Sequence, residues 1–184
     1  PELIVLAPTS LEEYLSMLRW SLKQRENPVV ILIPSTELCH ATGAVRENFS
    51  LPAHYEIVRR GGEAAILAPG DMQALGKKTA AVLEEKYGIC PTLMNPGVVS
   101  DLDEALLRDL RKEHRAVLVL EDGLLSGGFG AKVAGFYADS SMKVLLRGLP
   151  KAFYDRYRIS TLLKAQGMTP EQLAESVVDA IGKN

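Results

Sequence analysis

The chain has 184 residues, of which 47% are apolar and 24% charged, with a formal net charge of −2. This is the make-up of an ordinary soluble α/β domain with a piece of a second. No long basic stripe marks a nucleic-acid partner, and runs such as Val29–Ile33 and Ala116–Leu120 fall far short of the roughly 20 apolar residues of a membrane span.

Glu2–Ala7 reads as a strand, and the chain opens on Pro1 rather than Met, so a longer parent polypeptide is expected. A helix follows, with Ser10 and Glu13 spaced for a capping box. Its face Leu11, Tyr14, Leu15, Leu18 and Leu22 is predicted to be buried. Pro28–Ile33 is the next strand. This strand–helix–strand piece, lacking the rest of a sheet, is expected to expose an unpaired edge and self-associate. Pro34–Pro52 has no period and reads as an interdomain linker or an ordered crossing loop.

A second α/β unit begins with strands at His54–Arg59 and Glu63–Ala68 around the turn Arg60-Gly61-Gly62. A helix over Asp71–Tyr87 points Met72, Leu75, Thr79, Val82 and Leu83 inward and stops at Gly88. Pro91–Asn95 is a strand. Asp101 with Glu104 is the expected cap of a helix reaching about His114. A buried strand at Arg115–Glu121 runs into Glu121-Asp122-Gly123 and Gly127-Gly128-Phe129-Gly130, then a helix to about Ala138. Met142–Leu146 is a strand and Ser160–Gln166 a short helix. Thr169, Pro170 and Gln172 open the last helix, with Leu173, Val177, Val178 and Ile181 inward. Alternation with short loops predicts a three-layer α/β fold: a mostly parallel mixed sheet with helices on both faces.

Cys39 and Cys90 are far apart, so neither a disulfide framework nor a zinc site is expected, and a reducing cytoplasm is the default compartment. Cys39-His40 lacks a third orienting group and reads as loop residues. Glu121 and Asp122 are paired carboxylates at a strand end, suited to acid–base work or to capping. The glycine turn before the helix has two readings. It is an anion site made of free N–H groups, or a close approach of a helix start to another backbone. Neither a dinucleotide fingerprint nor a P-loop is completed, because Ala131, Lys132 and Val133 follow Gly130. Lys77-Lys78 and Arg59-Arg60 read as solvated pairs. Arg147–Arg158, with Phe153, Tyr154 and Tyr157 interleaved, reads as an oligomer contact or a surface crossing. No nucleophile–base pair or metal cluster is evident.

The order of these segments resembles a known family. His54–Gly70 resembles the strands opening the C-terminal domain of the transketolase superfamily. Leu102-Asp103-Glu104 resembles its Pro-Leu-Asp helix start, and Val119–Asp122 with Gly127–Gly130 its V-E-E/D…G-G-x-G signature. Gly148-Leu149-Pro150 with Phe153, and Gly167-Met168-Thr169, are similar to segments of 1-deoxy-D-xylulose-5-phosphate synthases within that superfamily. Pro1, Ala7, Pro8 and Glu13 match the end of the preceding pyrimidine-binding domain.

The resemblance implies a division at residues 1–45 (tail of the pyrimidine-binding domain, with linker) and 46–184 (C-terminal domain). It implies a parent that uses thiamine diphosphate and Mg, held by upstream domains of the same chain, in a homodimer with no nucleic-acid or membrane partner. The family's Gly-Asp-Gly and Asn-Asn are absent here, so this portion is expected to bind no cofactor and to catalyse nothing alone. Glu121, Gly127, Gly128 and Gly130 are expected to form a scaffold turn near the dimer contact. The synthase pattern I-R-Y-P-R-G corresponds to Ile31–Thr36, with Leu32 and Ser35 in place of its phosphate-directed arginines. This departure implies an altered acceptor, another transketolase-type reaction or lost activity. The other readings kept open are a transketolase, a keto-acid dehydrogenase beta-type subunit, an inactive interaction partner, or a module that binds a small phosphorylated ligand at the glycine turn.

Overall fold

The computed structural model describes residues 2–33, 39–153, 155 and 158–182. The first strands, β1 (Ile4–Leu6) and β2 (Val29–Ile31), are parallel neighbours joined through helix α1 (Leu11–Lys23). The main sheet holds β3 (Glu56–Arg59), β4 (Glu63–Leu67), β5 (Thr92–Asn95), β6 (His114–Leu124) and β7 (Lys143–Leu149), in the order β3-β5-β4-β6-β7. Only β3 runs antiparallel. The strands on either side of Arg60-Gly61-Gly62 are therefore not hydrogen-bonded to each other; β5 lies between them. The turn is held from β5, where the Thr92 hydroxyl accepts from Gly61 N at 3.0 Å.

The helices are α2 (Met72–Tyr87), α3 (Glu104–Leu110), α4 (Phe129–Tyr137), α5 (Ile159–Ala165) and α6 (Pro170–Ile181). The central strands are buried on both faces, which makes their sequences near-continuous apolar runs. One face sends Ala64, Ile66, Leu118 and Leu120 under α2 and α6. The other sends Ala65, Leu67, Val117 and Val119 under α3, α4 and the N-terminal unit, where Ile4, Leu6, Met17 and Phe49 join the same core. The layered α/β fold is the one the alternation predicts.

Local signals hold at most ends. Thr169 and Gln172 form a reciprocal capping box on α6, and Gly88 closes α2 in the left-handed region at φ 65°. Three expectations change. The α1 box is half made: Ser10 Oγ accepts from Glu13 N at 3.1 Å, but the Glu13 carboxylate turns one residue back to Thr9 N at 2.8 Å. The cap of α3 is Asp103, whose Oδ1 accepts from Leu106 N at 3.0 Å, and the helix ends at Leu110. Asp101 instead accepts from Ala53 N at 3.0 Å. The buried side of α1 is Glu13, Ser16 and Met17, whereas Leu15 and Leu22 are 37% and 75% exposed. This rotation follows from what the polar side meets: Ser16 donates to Arg46 O, and Glu13 engages Arg46 and Asn95.

The stretch after β2 is an ordered crossing over its described residues 39–52. Phe49 is buried and meets Trp20 edge-on at 5.9 Å. The outer edge of β1 is not left unpaired, since Ala7 N donates to Gly97 O and Val99 N to Val5 O, at 2.8 and 2.9 Å. On β2 and just beyond it, Val30, Leu32 and Ile33 remain exposed.

Candidate functional site

β4 and β6 are neighbours, yet their following helices leave on opposite faces: α2 on one and α4 on the other. A crevice opens outside the carboxyl ends of parallel strands at such a switch point. Here it is a cavity of about 520 Å³. Its walls include Leu32 and Ile33 after β2, Gly70-Asp71 after β4, Asp122 after β6, and Lys132 of α4.

Of the four residues singled out in the glycine turn, Glu121, Gly127 and Gly128 line the crevice, and Gly130 is joined to them through Glu121. The Glu121 carboxylate accepts from Phe129 N at 2.8 Å and from Gly130 N at 2.9 Å. A Cβ at Gly128 would stand 2.2 Å from Glu121 Oε2, and one at Gly130 2.7 Å from Oε1. Gly127 takes φ 78°, the left-handed region that favours glycine. The glycines are thus shaped around a carboxylate of the same chain. Burial pushes the Glu121 carboxyl above its ordinary range, and the Gly130 and Phe129 N–H bonds pull the other way. Two free N–H groups at the start of α4, those of Phe129 and Gly130, are spent on Glu121. A phosphorylated ligand at the glycine turn would meet an anion already seated on these two donors.

Asp71 was not picked out in the sequence. Burial first, and the neighbouring Asp122 second, push its carboxyl up to about 6. Lys132 Nζ donates to Ser100 O at 2.7 Å. The carboxyl groups of Asp71, Glu121 and Asp122 and the ammonium of Lys132 thus share the crevice, whose β2 wall is apolar.

Other candidates lie apart. His40 Nδ1 meets Glu12 Oε1 at 2.7 Å beside exposed Cys39. Arg59 bridges Glu84 at 2.7 Å and contacts Cys90 Sγ at 2.8 Å. Lys77 and Lys78 are exposed. Arg147 donates to Ser176 Oγ at 3.0 Å, and Phe153 is fully exposed. Ser35, Tyr154 and Tyr157 lie outside the described residues.

Among the described residues, no group of three or more His, Cys, Asp or Glu is placed to hold a metal. Asp71 and Asp122 sit together without a third such partner. The described residues do not fit a metal–diphosphate group. No helix among them is long and apolar enough to cross a membrane.

Residues 53–173 match the family model described as "Transketolase, C-terminal domain". The chain belongs to that family. The match agrees with the resemblance carried by residues 54–181 and with the layered fold. Among curated proteins, the 1-deoxy-D-xylulose-5-phosphate synthase of Shouchella clausii is 31% identical over 98% of this chain, which covers 29% of that protein. The enzyme of the same name from Synechococcus sp. strain CC9605 is 33% identical over 97% of the chain and 28% of its own length. The chain thus spans under a third of the relatives it matches. Among solved structures, a split-gene transketolase described as an inactive β4 tetramer superposes with a TM-score of 0.79 at 22% identity. That match covers 99% of this chain and 58% of the other. A transketolase of Pichia stipitis in complex with sedoheptulose-7-phosphate gives 0.74 at 17% identity, over 99% and 25% of the two chains. These structures share the fold.

Proposed function

We propose that this chain is the C-terminal, scaffolding portion of a thiamine-diphosphate-dependent transferase, most like 1-deoxy-D-xylulose-5-phosphate synthase. The observation that carries the reading is the span of the match: the Shouchella clausii synthase aligns over 98% of the chain, through both the N-terminal strand–helix–strand and the main sheet. Residues 1–45 are the tail of a pyrimidine-binding domain with its linker, and 46–184 the C-terminal domain. Upstream domains of the same chain hold thiamine diphosphate and Mg. In the parent the cofactor would supply the chemistry by which pyruvate loses its carboxylate as CO2 and its remaining two carbons pass to an aldehyde, glyceraldehyde 3-phosphate in the synthase, toward isoprenoid precursors. The protein acts in the cytoplasm as a homodimer. Glu121 and Gly127, Gly128 and Gly130 are scaffold, near the dimer contact.

One feature supports this division of labour. The exposed leucines of α1, with Val30 and Leu32, are the kind of surface that the remainder of a sheet covers.

Leu32 stands where the synthase pattern carries arginine. Arginine offers phosphate a permanently charged, two-pronged partner that leucine cannot replace. The acceptor is therefore altered. The test is a steady-state assay of the full-length polypeptide with pyruvate and a series of aldehydes, beside the mass and N-terminal sequence of the endogenous chain. Condensation with non-phosphorylated aldehydes at the lower KM is expected. A native chain of only this length would sink the scaffold reading. A low KM for glyceraldehyde 3-phosphate would sink the altered acceptor alone.

A further inference from the structure

Four large apolar side chains that remain exposed, Leu3, Leu32, Ile33 and Leu124, line the crevice together, each 43–61% exposed. Single apolar residues at a surface need no explanation, but a group that converges on one opening does. The convergence begins at β1. Side chains alternate along a strand, so Ile4 and Leu6 enter the core while Leu3 and Val5 line the crevice. Leu32 and Ile33 extend the same wall, fixed by the bond from Leu32 N to Leu6 O at 2.8 Å. Val99 closes it: its N–H donates to Val5 O at 2.9 Å, and Val5 N donates to Ser100 Oγ at 3.0 Å. The wall is thus preformed, and the backbone groups of Val5 are already paired. The polar groups of the lining stand on other elements. Glu121 accepts from the start of α4, Lys132 donates to Ser100 O, and Asp71 and Asp122 follow β4 and β6.

We propose that this crevice holds the apolar chain of an uncharged small molecule, and that in the transferase this molecule is the acceptor, an aldehyde with an aliphatic or aromatic chain. The first part stands on the crevice itself; the second rests on the transferase role proposed above. The crevice opens at the switch point of the sheet, where α/β folds place ligands, and its volume of about 520 Å³ lies within the range of small-ligand sites. An apolar chain laid on Leu3, Val5, Leu32 and Ile33 removes water from both surfaces, a gain of about fourfold in affinity for each methylene. A chain bearing hydroxyls loses by the same placement. Those four side chains neither donate nor accept, and the Val5 backbone groups are taken, so each hydroxyl would give up water without a partner. Carboxyl groups and an ammonium, of opposite sign, share the rest of the lining. The chain, rather than a charged head, therefore sets the selection.

The test is ligand-observed NMR titration of the full-length protein with unreactive alcohols, from propanol through butanol and pentanol to hexanol, beside glycerol as the hydroxylated probe. Affinity should rise about fourfold with each added methylene, and glycerol should bind more weakly than propanol. Ile33→Asn and Leu124→Asn change two exposed side chains of the lining, so each carries the test if the other disturbs the fold. Hexanol should lose about tenfold in either variant. Tyr87→Asn, at an exposed position on the end of α2 and outside the crevice, should leave it unchanged. A flat series, glycerol bound as tightly as propanol, or binding unchanged in both crevice variants overturns the proposal. Steady-state rates with pyruvate and the matching aldehydes, propanal to hexanal, then test the acceptor: kcat/KM should climb with chain length and exceed that for glyceraldehyde. A rising alcohol series with no aldehyde condensed at all would sink the transferase reading and leave the apolar site standing. Condensation that ignores chain length, beside a rising alcohol series, would overturn the assignment of the acceptor to this crevice.

Discussion

Replacing Gly128 with alanine isolates the clasp between the glycine turn and Glu121. Gly128 sits at φ −76° and ψ −173°, extended backbone that alanine adopts without strain. The cost must therefore come from the new methyl. It would lie 2.2 Å from Glu121 Oε2 and 2.8 Å from Leu124 O. The carboxylate can swing away only by giving up its bond to Phe129 N, and with it the paired bond to Gly130 N. A hydrogen bond to a charged group contributes about 1.5–3 kcal/mol, so Gly128→Ala should cost about 2–4 kcal/mol. Gly127→Ala is the control. Its Cβ meets nothing within 4 Å, so only the left-handed φ of 78° is penalised, by about 1 kcal/mol. Urea denaturation of the single variants and of Glu121→Ala/Gly128→Ala forms a double-mutant cycle. The alanine at 128 should lose the carboxylate's share of its cost once the carboxylate is gone, while the contact with Leu124 O persists. Equal costs at 127 and 128, or strict additivity with Glu121→Ala, would refute the clasp.

Asp71 gives a pH-dependent prediction. Its folded value near 6 lies above the unfolded 3.8, so folding favours the protonated form. The stabilising contribution is complete below the unfolded value and is lost as pH rises through about 6. Asp71→Asn should therefore stabilise the protein by about 1 kcal/mol at pH 8, after discounting for solvent on its open side, and leave stability unchanged at pH 3.5; melting temperatures at the two pH values decide it. Glu13→Ala leaves Arg46 without its buried anion and should cost about 3 kcal/mol. Proteolysis near residues 43–47 should accelerate in that variant, and unchanged cleavage would show that the crossing is held by something else. Leu22→Lys, at a position 75% exposed, should shift stability by less than about 0.5 kcal/mol in the isolated 184-residue chain. If the proposed upstream domains cover that leucine, the same change should be more costly in the full-length protein. Equal effects in both would leave the leucine stripe without a covering partner.

The sequence is most readable where one local rule acts alone. Thr169 with Gln172, Gly88, and the apolar strand from Arg115 onward each carry their own signal, and each element stands where that signal puts it. It misleads where two demands share a residue. Glu13 is correctly spaced from Ser10 for a capping box, but its carboxylate is also the anion for Arg46 and the acceptor for Asn95. Those long-range partners rotate α1 and bring Ser16 and Met17 inward, leaving the leucine stripe outside. No window of local periodicity contains Arg46 or Asn95, so no reading of that helix by itself could have found the turn of its face. The same limit explains why β5 enters between β3 and β4, since Gly61 bonds to Thr92, 31 positions away.

The crevice shows how a family signature divides between structure and chemistry. The glycines read as an anion cradle because a strand, a glycine turn and a helix start have the same appearance whether the anion is a ligand or a side chain. Glu121 decides between the two, and it lies in the same signature, eight positions before Phe129. A carboxylate that reaches its own helix start locks β6 to α4. The ridge so formed has little room for further atoms at Gly128 and Gly130. What remains free to vary is the opposite wall, at Leu32 and Ile33, where nothing comparable constrains the side chain. Departure from the synthase pattern at Leu32, beside an intact Glu121 clasp in this chain, fits the proposed change of acceptor. Restoring arginine at Leu32 tests that directly: in the full-length enzyme, Leu32→Arg should lower the KM for a phosphorylated aldehyde relative to its dephosphorylated counterpart. An unchanged ratio would mean that the phosphate never approaches this wall.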